Sequence, residues 1–243
     1  MKDVLILGAA SDIAKAVAYK FAGEGCNVVL AARNAARLTE TATDIKIRHQ
    51  VEATTAEFDA LDFAGHAAFY EAIKPKPDVV VLVFGYLGDQ KKAQIDFAEA
   101  EQIIDTNYTG AVSILNIVAN EFERRRAGTI IGISSVAGDR GRGSNYIYGS
   151  AKAALTAYLS GLRNRLAKSN VQVITVKPGF VRTKMTQGLP LPGPVTAKPA
   201  QVADDVFKAY RKRTDQVYSL WMWRYLMLII RNIPEPIFKK MSL

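Results

Sequence analysis

The sequence predicts an α/β fold in which one doubly wound parallel sheet carries helices on both faces. Short, nearly continuous aliphatic runs such as PDVVVLVFG (77–85) are typical of strands that are buried on both faces. Between these runs lie longer segments with apolar residues at helical spacing, such as SDIAKAVAYKFAGEG (11–25). With 49% hydrophobic and 23% charged residues, the 243-residue chain has the composition of a globular protein with a large core.

Strands and helices alternate along the whole chain. Strands are predicted wherever a short apolar run is bounded by turn residues, namely at 3–8, 27–33, 51–59, 77–85, 128–135 and 171–179. Helices are predicted at 11–25, in the polar stretch after the second strand, and at 62–73, 97–126 and 146–168. Because no repeat or linker divides the chain, we predict one domain over residues 1–243, with the proline-rich segment 186–199 as a loop.

The segment LGAASDIAKAV (7–17) lies where a dinucleotide-binding turn is expected, after the first strand. Gly8 stands at the turn, Ser11 or Asp12 can cap the following helix, and Ala14 is small enough for close packing of helix on sheet. The helix N-terminus offers free N–H groups and a positive dipole end to a pyrophosphate. An ordinary strand-to-helix turn would look similar, but the position in a βαβ pattern favours the dinucleotide site.

Arg33 follows the end of the second strand, where the ribose next to the adenine is recognised in such folds. An acidic residue there would hydrogen-bond a 2′-OH, whereas arginine can pair with a 2′-phosphate. The sequence therefore favours NADP(H) over NAD(H). The alternative is a solvated charge at a strand end.

Catalytic chemistry is indicated by the stretch ISSVAGDRGRGSNYIYGSAKAAL. Tyr148 and Lys152 are four residues apart near the start of a predicted helix, so an ammonium group there can lower the phenol pKa and help it to transfer a proton. Ser135 lies at the end of a strand, where its hydroxyl can hold a substrate oxygen. Tyr146 is a rival phenol, but its i+4 neighbour is the uncharged Ser150. The alternative is a chance pairing of tyrosine and lysine on one helix.

These motifs resemble the short-chain dehydrogenase/reductase family over about residues 1–183. The resemblance implies a Rossmann-like fold, a nicotinamide cofactor, a carbonyl substrate and a homo-oligomer. It implies a catalytic tetrad of Asn107 (in DTNYTG), Ser135, Tyr148 and Lys152, with Asn107 holding a proton-relay water. The implied cofactor-binding residues are Gly8, Ser11, Asp12, Ile13, Arg33, Asp59, Ala60, Gly85, Tyr148, Lys152, Pro178, Gly179, Val181 and Thr183. The sequence departs from the family at Asp12 and Ala14, which are usually glycines, and at FGYLG (84–88), where Asn-Ala-Gly is more usual.

A closer resemblance, over nearly the full length, is to reductases of the 2-keto group of polyprenyl-phosphate-linked pentoses. It rests on FGYLGDQ, NYTGAVS, the Ser135-to-Lys152 stretch and the C-terminal RYLMLIIRNIPEPIFKK. It implies a lipid-linked 2-keto sugar as substrate, with 186–199 as a substrate loop. Small soluble ketones and 3-oxoacyl thioesters are the alternative substrates. A redox sensor that binds NADP without catalysis is an alternative of another class, disfavoured because a sensor needs no paired Tyr148 and Lys152.

The C-terminal segment 217–243 combines aromatic and basic residues, and its uncharged apolar stretches are too short to span a bilayer. It could lie at a membrane interface, or it could pack on the core or on another subunit. Arg140 and Arg142 could take the phosphate of a lipid-linked substrate, or could belong to a solvated, glycine-flanked loop. The aromatic and basic residues of the segment are Trp221, Trp223, Tyr225, Phe238, Arg224, Arg231, Lys239 and Lys240.

Composition argues against several other classes of protein. The single cysteine, Cys26, and two histidines favour neither a disulfide nor a metal site. No export signal is visible, so a cytoplasmic location is predicted. The net charge of +9 could suit nucleic acid, but the body of the chain shows no stripe of arginines interleaved with aromatics, so no nucleic-acid partner is predicted.

Overall fold

A computed structural model describes residues 1–188 and 190–241 of the protein. Its strands are β1 (Asp3–Leu7), β2 (Asn27–Ala32), β3 (Ala53–Glu57), β4 (Val79–Leu82), β5 (Gly128–Ile133), β6 (Val171–Pro178), β7 (Phe180–Val181), β8 (Thr196–Ala197) and β9 (Gln216–Ser219). Its helices are α1 (Asp12–Gly23), α2 (Thr39–His49), α3 (His66–Ala72), α4 (Gln90–Ala93), α5 (Phe97–Ile104), α6 (Gly110–Arg125), α7 (Tyr146–Leu166), α8 (Pro199–Lys212), α9 (Met222–Asn232) and α10 (Glu235–Phe238).

Seven strands form one parallel sheet in the order β3-β2-β1-β4-β5-β6-β9. The order runs outward in both directions from β1 and β4, which is the doubly wound arrangement. The predicted fold class is therefore confirmed. Since every pairing is parallel, all carboxyl ends of the strands lie at one edge of the sheet, and the crevice at this edge beside β1 and β4 is where such folds bind ligands.

Helices cover both faces of the sheet. On one face, side chains of α1, α2 and α8 such as Phe21, Ile45 and Val206 pack against the strands. On the other face, α3, α6 and α7 contribute side chains such as Leu115 and Leu159. The strands between these layers are buried on both sides, which explains their nearly continuous aliphatic sequences.

One predicted helix is divided, and several observed elements are not predicted by the sequence, including the short α4, β7, β8, α9 and α10. The predicted helix 97–126 is interrupted by a π-helical turn, Asp105–Thr109, that separates α5 from α6. The sequence also does not predict β9, because QVYS has only one aliphatic residue, or α8 before it. Within the described residues, no helix is long and apolar enough to cross a membrane.

Candidate active site

The carboxyl edge of the sheet gathers the predicted site residues in strand order. Asp59 follows β3, Arg33 follows β2 and Gly8 follows β1. Beyond the switch point, Gly85 follows β4, Ser135 follows β5, and β6 ends at Pro178. The predicted adenine, pyrophosphate and nicotinamide positions therefore succeed one another along a single edge.

The first turn has the geometry expected of a phosphate-binding loop. Gly8 adopts φ = 87°, and a Cβ at this position would lie 2.6 Å from the Phe84 nitrogen. Ser11, not Asp12, is the helix cap, since its Oγ accepts from the Ala14 N–H at 3.2 Å. Ala14 is fully buried, which allows close packing of α1 on the sheet. The N-terminus of α1 thus lies beside the turn with the free amide groups that a pyrophosphate needs.

Asp12 has a different partner. Its carboxylate accepts a hydrogen bond from the Lys184 N–H at 2.8 Å. The residue at this usually glycine position therefore holds the chain just after β7 against the start of α1.

Arg33 directly follows β2, and its side chain is exposed. It makes no hydrogen bond or ion pair with any described residue. The nearby Glu57 carboxylate is already occupied, because it accepts from the Asn34 and Ala35 N–H groups at 2.7 and 2.8 Å. These backbone hydrogen bonds lower the pKa of Glu57. The Arg33 guanidinium is consequently free for an anion. Together with the turn at Gly8, it fits a dinucleotide with an additional phosphate.

Asn107 lies in the π-helical turn and is buried. Its Nδ2 donates to the carbonyls of Tyr86 (2.6 Å) and Ile103 (2.8 Å), while its Oδ1 accepts from the Tyr86 N–H at 3.3 Å. A Cβ on Gly85 would lie 2.8 Å from this Oδ1 and 3.3 Å from Lys152 Nζ. Only glycine at this position leaves room for the amide and the ammonium group together.

The Ser135 hydroxyl lines the same cleft as the Tyr148 phenol, and its effect is to lower the phenol pKa. Because the Ser135 Oγ also accepts from the Ala137 N–H at 3.1 Å, its own proton is available to the phenol or to a substrate. The rival Tyr146 is 44% exposed and does not line the cleft that contains Tyr148.

Lys152 lies one helical turn from Tyr148, with its Nζ 5.8 Å from the centre of the Tyr148 ring. The ammonium group donates to the Ile133 carbonyl at 3.2 Å, and burial lowers its pKa to about 8. The expected lowering of the phenol pKa is wrong for this structure, since burial raises the pKa of Tyr148 to about 12 against the opposing effect of the Ser135 hydrogen bond. The phenol is therefore held in its protonated form at neutral pH.

A cleft of about 170 Å³ joins the predicted catalytic residues to the predicted nicotinamide residues. Among the predicted catalytic and cofactor-binding residues, those lining it are Ile13, Gly85, Ser135, Tyr148, Lys152, Pro178, Gly179, Val181 and Thr183. Trp223 also lines this cleft, which the sequence does not predict. The indole stacks so closely on Gly179 that any Cβ there would overlap it, and its Nε1 donates to the Val195 carbonyl at 3.0 Å. The sequence signal that could have indicated this contact is Gly179 directly after β6 together with an aromatic residue in the C-terminal segment.

Arg140 does not lie free for a substrate phosphate, which corrects the expectation for this residue. Its guanidinium donates to the carbonyls of Ile230 (2.6 Å) and Ile233 (2.7 Å) and to the Glu235 carboxylate (2.8 Å). It also lies 3.6 Å from the centre of the Phe238 ring. Arg140 thus fastens the C-terminal segment to the loop that follows Ser135.

The C-terminal segment has an inner and an outer face. Trp223, Met227 and Phe238 are buried, and the first two pack on Val136, the residue after Ser135. This inner face agrees with the alternative in which the segment packs on the core. The outer face, which we call the C-terminal apolar face, is exposed and consists of Trp221, Tyr225, Leu228, Ile229, Ile237 and Met241. Residues 242 and 243 of the predicted segment lie outside the described residues.

The predicted substrate loop 186–199 contains a short 3₁₀ turn (Gly193–Val195) and β8, which pairs with β7. Thr186 at its start lines the cleft, as does the neighbouring Met185. Residue 189 lies outside the described part of this loop. Across residues 1–188 and 190–241, no group of three or more potential metal-binding side chains is present.

Comparison with known proteins identifies the family. A family profile described as short chain dehydrogenase matches residues 2–191. An uncharacterised oxidoreductase of Mycobacterium tuberculosis (strain H37Rv) is 35% identical over 241 residues, covering 98% of this chain and 96% of the relative.

Two solved structures share the fold. A short-chain dehydrogenase from Sphingobium yanoikuyae in complex with NADPH has a TM-score of 0.83 at 23% identity, with 97% of each chain covered. The bulky-bulky ketone specific alcohol dehydrogenase from Comamonas testosteroni has a TM-score of 0.81 at 21% identity, covering 97% of this chain and 96% of that one. Since the family profile covers most of the chain and the mycobacterial relative aligns over nearly its whole length, this protein belongs to the short-chain dehydrogenase family and is an NAD(P)H-dependent oxidoreductase.

Proposed function

We propose that the protein reduces a ketone with NADPH and that Tyr148 donates the proton. The observation that carries this proposal is the arrangement of Ser135, Tyr148 and Lys152 around one cleft that continues into the predicted nicotinamide site. When bound, the nicotinamide supplies a hydride to the carbonyl carbon. The remaining chemistry is the work of this chain's own residues.

Reduction requires an acid at the carbonyl oxygen. Burial keeps the Tyr148 phenol protonated at neutral pH, so the proton is present before the substrate arrives. The Ser135 hydroxyl, whose oxygen is held by the Ala137 N–H, donates a hydrogen bond that orients the carbonyl oxygen toward the phenol.

Lys152 acts after the proton has left. A phenolate in a buried site is unfavourable, and the nearby ammonium group stabilises it by charge. With a pKa of about 8, Lys152 is charged at neutral pH yet able to release a proton toward the phenolate. Asn107 positions the relay: its Oδ1 accepts only the Tyr86 N–H, so its second lone pair is left to hold a water beside Lys152.

NADPH oxidation by the purified protein, followed at 340 nm, tests this function. The substrates are a polyprenyl-phosphate-linked 2-keto pentose, a panel of simple ketones and several 3-oxoacyl thioesters. We expect turnover with at least one class and stoichiometric formation of the alcohol. If NADPH binds tightly and no carbonyl compound is reduced, the protein is instead a sensor.

The NADPH preference rests on Arg33, the unpaired cation at the end of β2. A charge-assisted contact with a 2′-phosphate strengthens binding by roughly ten- to a hundredfold. Arg33→Ala is therefore expected to raise the Kd of NADPH by about that factor and to leave the Kd of NADH nearly unchanged, as measured by fluorescence titration. Arg37→Ala, which removes another exposed arginine of the same loop, is the control. Equal weakening of both cofactors, or a wild-type preference for NADH, would refute the assignment.

We further propose that the substrate is lipid-linked and is met at a membrane surface, with the 2-keto group of a polyprenyl-phosphate-linked pentose as its reacting carbonyl. The resemblance of the C-terminal sequence supports this, and so does the C-terminal apolar face beside the cleft wall formed by Trp223. The face is bordered by exposed cations, as suits the cytoplasmic surface of an anionic bilayer. They are Arg224, Arg231, Lys239 and Lys240.

Substitution within the C-terminal apolar face tests the membrane contact better than deletion, because deletion would also remove the buried Trp223. The double variant Leu228→Ser/Ile229→Ser is expected to lose about tenfold or more in sedimentation with anionic liposomes. Its KM should rise for the lipid-linked ketone and stay unchanged for a short soluble ketone. Ile95→Ser, at a residue that is 90% exposed outside the C-terminal segment, is the control.

The competing occupant of the C-terminal apolar face is a second copy of the chain, in line with the predicted homo-oligomer. In that case the double variant would change the oligomeric state in size-exclusion chromatography and would affect all substrates alike. Either of these results, or liposome binding that survives the substitutions, would contradict the membrane contact and leave the reductase assignment in place.

A further inference from the structure

Two charged residues line the cleft in the described structure, Lys152 and Arg142, and both are cations. The mechanism uses Lys152 and gives no role to Arg142. The Arg142 side chain is half-buried, and no described residue offers its guanidinium a hydrogen bond or an ion pair. Burial lowers the pKa of Arg142, and no carboxylate opposes this effect.

A partly buried guanidinium without a partner is unfavourable, because it loses hydration and gains no opposing charge. Arg140 in the same loop shows the usual solution, since three carbonyls and one carboxylate accept hydrogen bonds from it. These contacts also fix the loop to α9 and α10, so Arg142 is presented to the cleft by an anchored segment. An anion entering the cleft would supply what Arg142 lacks.

Asn145 adds a second unmatched polar group to the cleft. Its Oδ1 is buried and has no hydrogen-bond partner among the described residues. Buried polar atoms normally have partners, so this acceptor fits a hydroxyl or N–H group of a ligand. This part of the cleft is therefore suited to a polar, charged portion of the substrate rather than to a hydrocarbon chain.

The phosphates of the cofactor do not explain Arg142. Their predicted place is the turn between β1 and α1, whereas Arg142 follows β5. In the sheet, β4 lies between β1 and β5, and neither Gly8 nor Ser11 of that turn lines the cleft that Arg142 lines.

We propose that Arg142 binds an anionic group of the substrate, a phosphate or a carboxylate, and so selects anionic ketones over neutral ones. The inference rests on the proposed reductase function and assigns the substrate its charge. A lipid-linked sugar phosphate and a small keto acid share this anionic chemistry.

Kinetics with matched ketones test the selection. Acetophenones that carry a para carboxylate, phosphate monoester or carboxamide differ chiefly in charge. We expect wild-type KM to be about tenfold or more lower for the anions than for the carboxamide, as a charge-assisted contact predicts. Arg142→Gln should erase this difference by raising KM for the anions alone, while Arg142→Lys should retain part of it. A larger loss for the phosphate arm would indicate a sugar-phosphate type of substrate, and a larger loss for the carboxylate arm a keto acid.

A binding measurement tests the anion site without requiring that the protein turn over any ketone. Benzoate, phenyl phosphate and benzamide are titrated into the NADP⁺-saturated protein by calorimetry, with Arg211→Gln, an exposed arginine outside the cleft, as control. We expect the anions to bind the wild type and the control about tenfold or more tightly than benzamide, and Arg142→Gln to bind all three alike. Anion binding through Arg142 without reduction of any ketone would overturn the function and keep the anion site. Three results would overturn the anion site alone. They are ketone reduction without charge preference, unchanged anion binding in Arg142→Gln, and a loss of NADPH affinity in Arg142→Gln as large as its loss of anion affinity.

Discussion

Replacing Tyr148 with phenylalanine is expected to reduce turnover by about 10²- to 10⁴-fold, the usual contribution of a general acid. The reason is specific to the hydroxyl: the ring keeps its place on α7, and the cleft loses only the proton that burial retains up to a pKa of about 12. NADPH affinity should remain nearly unchanged. Stopped-flow NADPH oxidation gives the rate, and fluorescence titration gives the affinity.

The control for this variant is Tyr146→Phe, which removes an exposed phenol from the same turn of the same helix. It should behave like the wild type. Retention of more than a few per cent of activity in Tyr148→Phe would show that another group donates the proton, and loss in Tyr146→Phe would point to that residue.

Removing the Asp139 carboxylate is expected to lower the free energy of unfolding by about 3–5 kcal/mol, as for other buried ion pairs that lose one partner. Lys177 Nζ lies 2.6 Å from Asp139 Oδ1, and both side chains are at most 5% exposed. The Tyr218 hydroxyl donates to the other carboxylate oxygen at 2.7 Å. Asp139→Ala would leave the Lys177 ammonium buried without a counter-charge. Urea unfolding of the wild type and the variant measures the loss.

The double variant Asp139→Leu/Lys177→Met is the informative control, because it removes both charges and keeps the volume. It should recover most of the lost stability. A loss below about 1 kcal/mol in Asp139→Ala would place this pair with ordinary surface ion pairs. Because Asp139 follows the Ser135 turn and Lys177 precedes Pro178, the pair also joins the catalytic loop to the predicted nicotinamide loop, and Asp139→Ala should lower kcat as well.

The sequence predicts the parts of the site that depend on local order. The Gly8 turn, the Ser11 cap and the i, i+4 pair of Tyr148 and Lys152 are all set by spacing within one strand-helix unit. The gathering of these residues at one edge follows from the parallel sheet, which the alternating pattern indicates.

What the sequence does not predict depends on distant contacts or on burial. Arg140 is tied to carbonyls about ninety residues later in the chain, and no local pattern distinguishes it from Arg142 two positions away. The raised pKa of Tyr148 likewise reflects how deeply the folded chain encloses the phenol. The spacing of residues on a helix predicts which side chains are neighbours, but it does not predict how deeply they are buried from solvent.

The contact between Trp223 and Gly179 has a consequence for how this enzyme could change its substrates. The indole that lines the cleft belongs to the C-terminal segment, while the proposed catalytic residues Asn107, Ser135, Tyr148 and Lys152 all precede it. Exchange of the last portion of the chain between homologues would therefore change one wall of the cleft without altering any of these four residues. One wall of the cleft therefore varies with the end of the chain, whereas Arg142 and the proposed proton-transfer residues lie upstream of it.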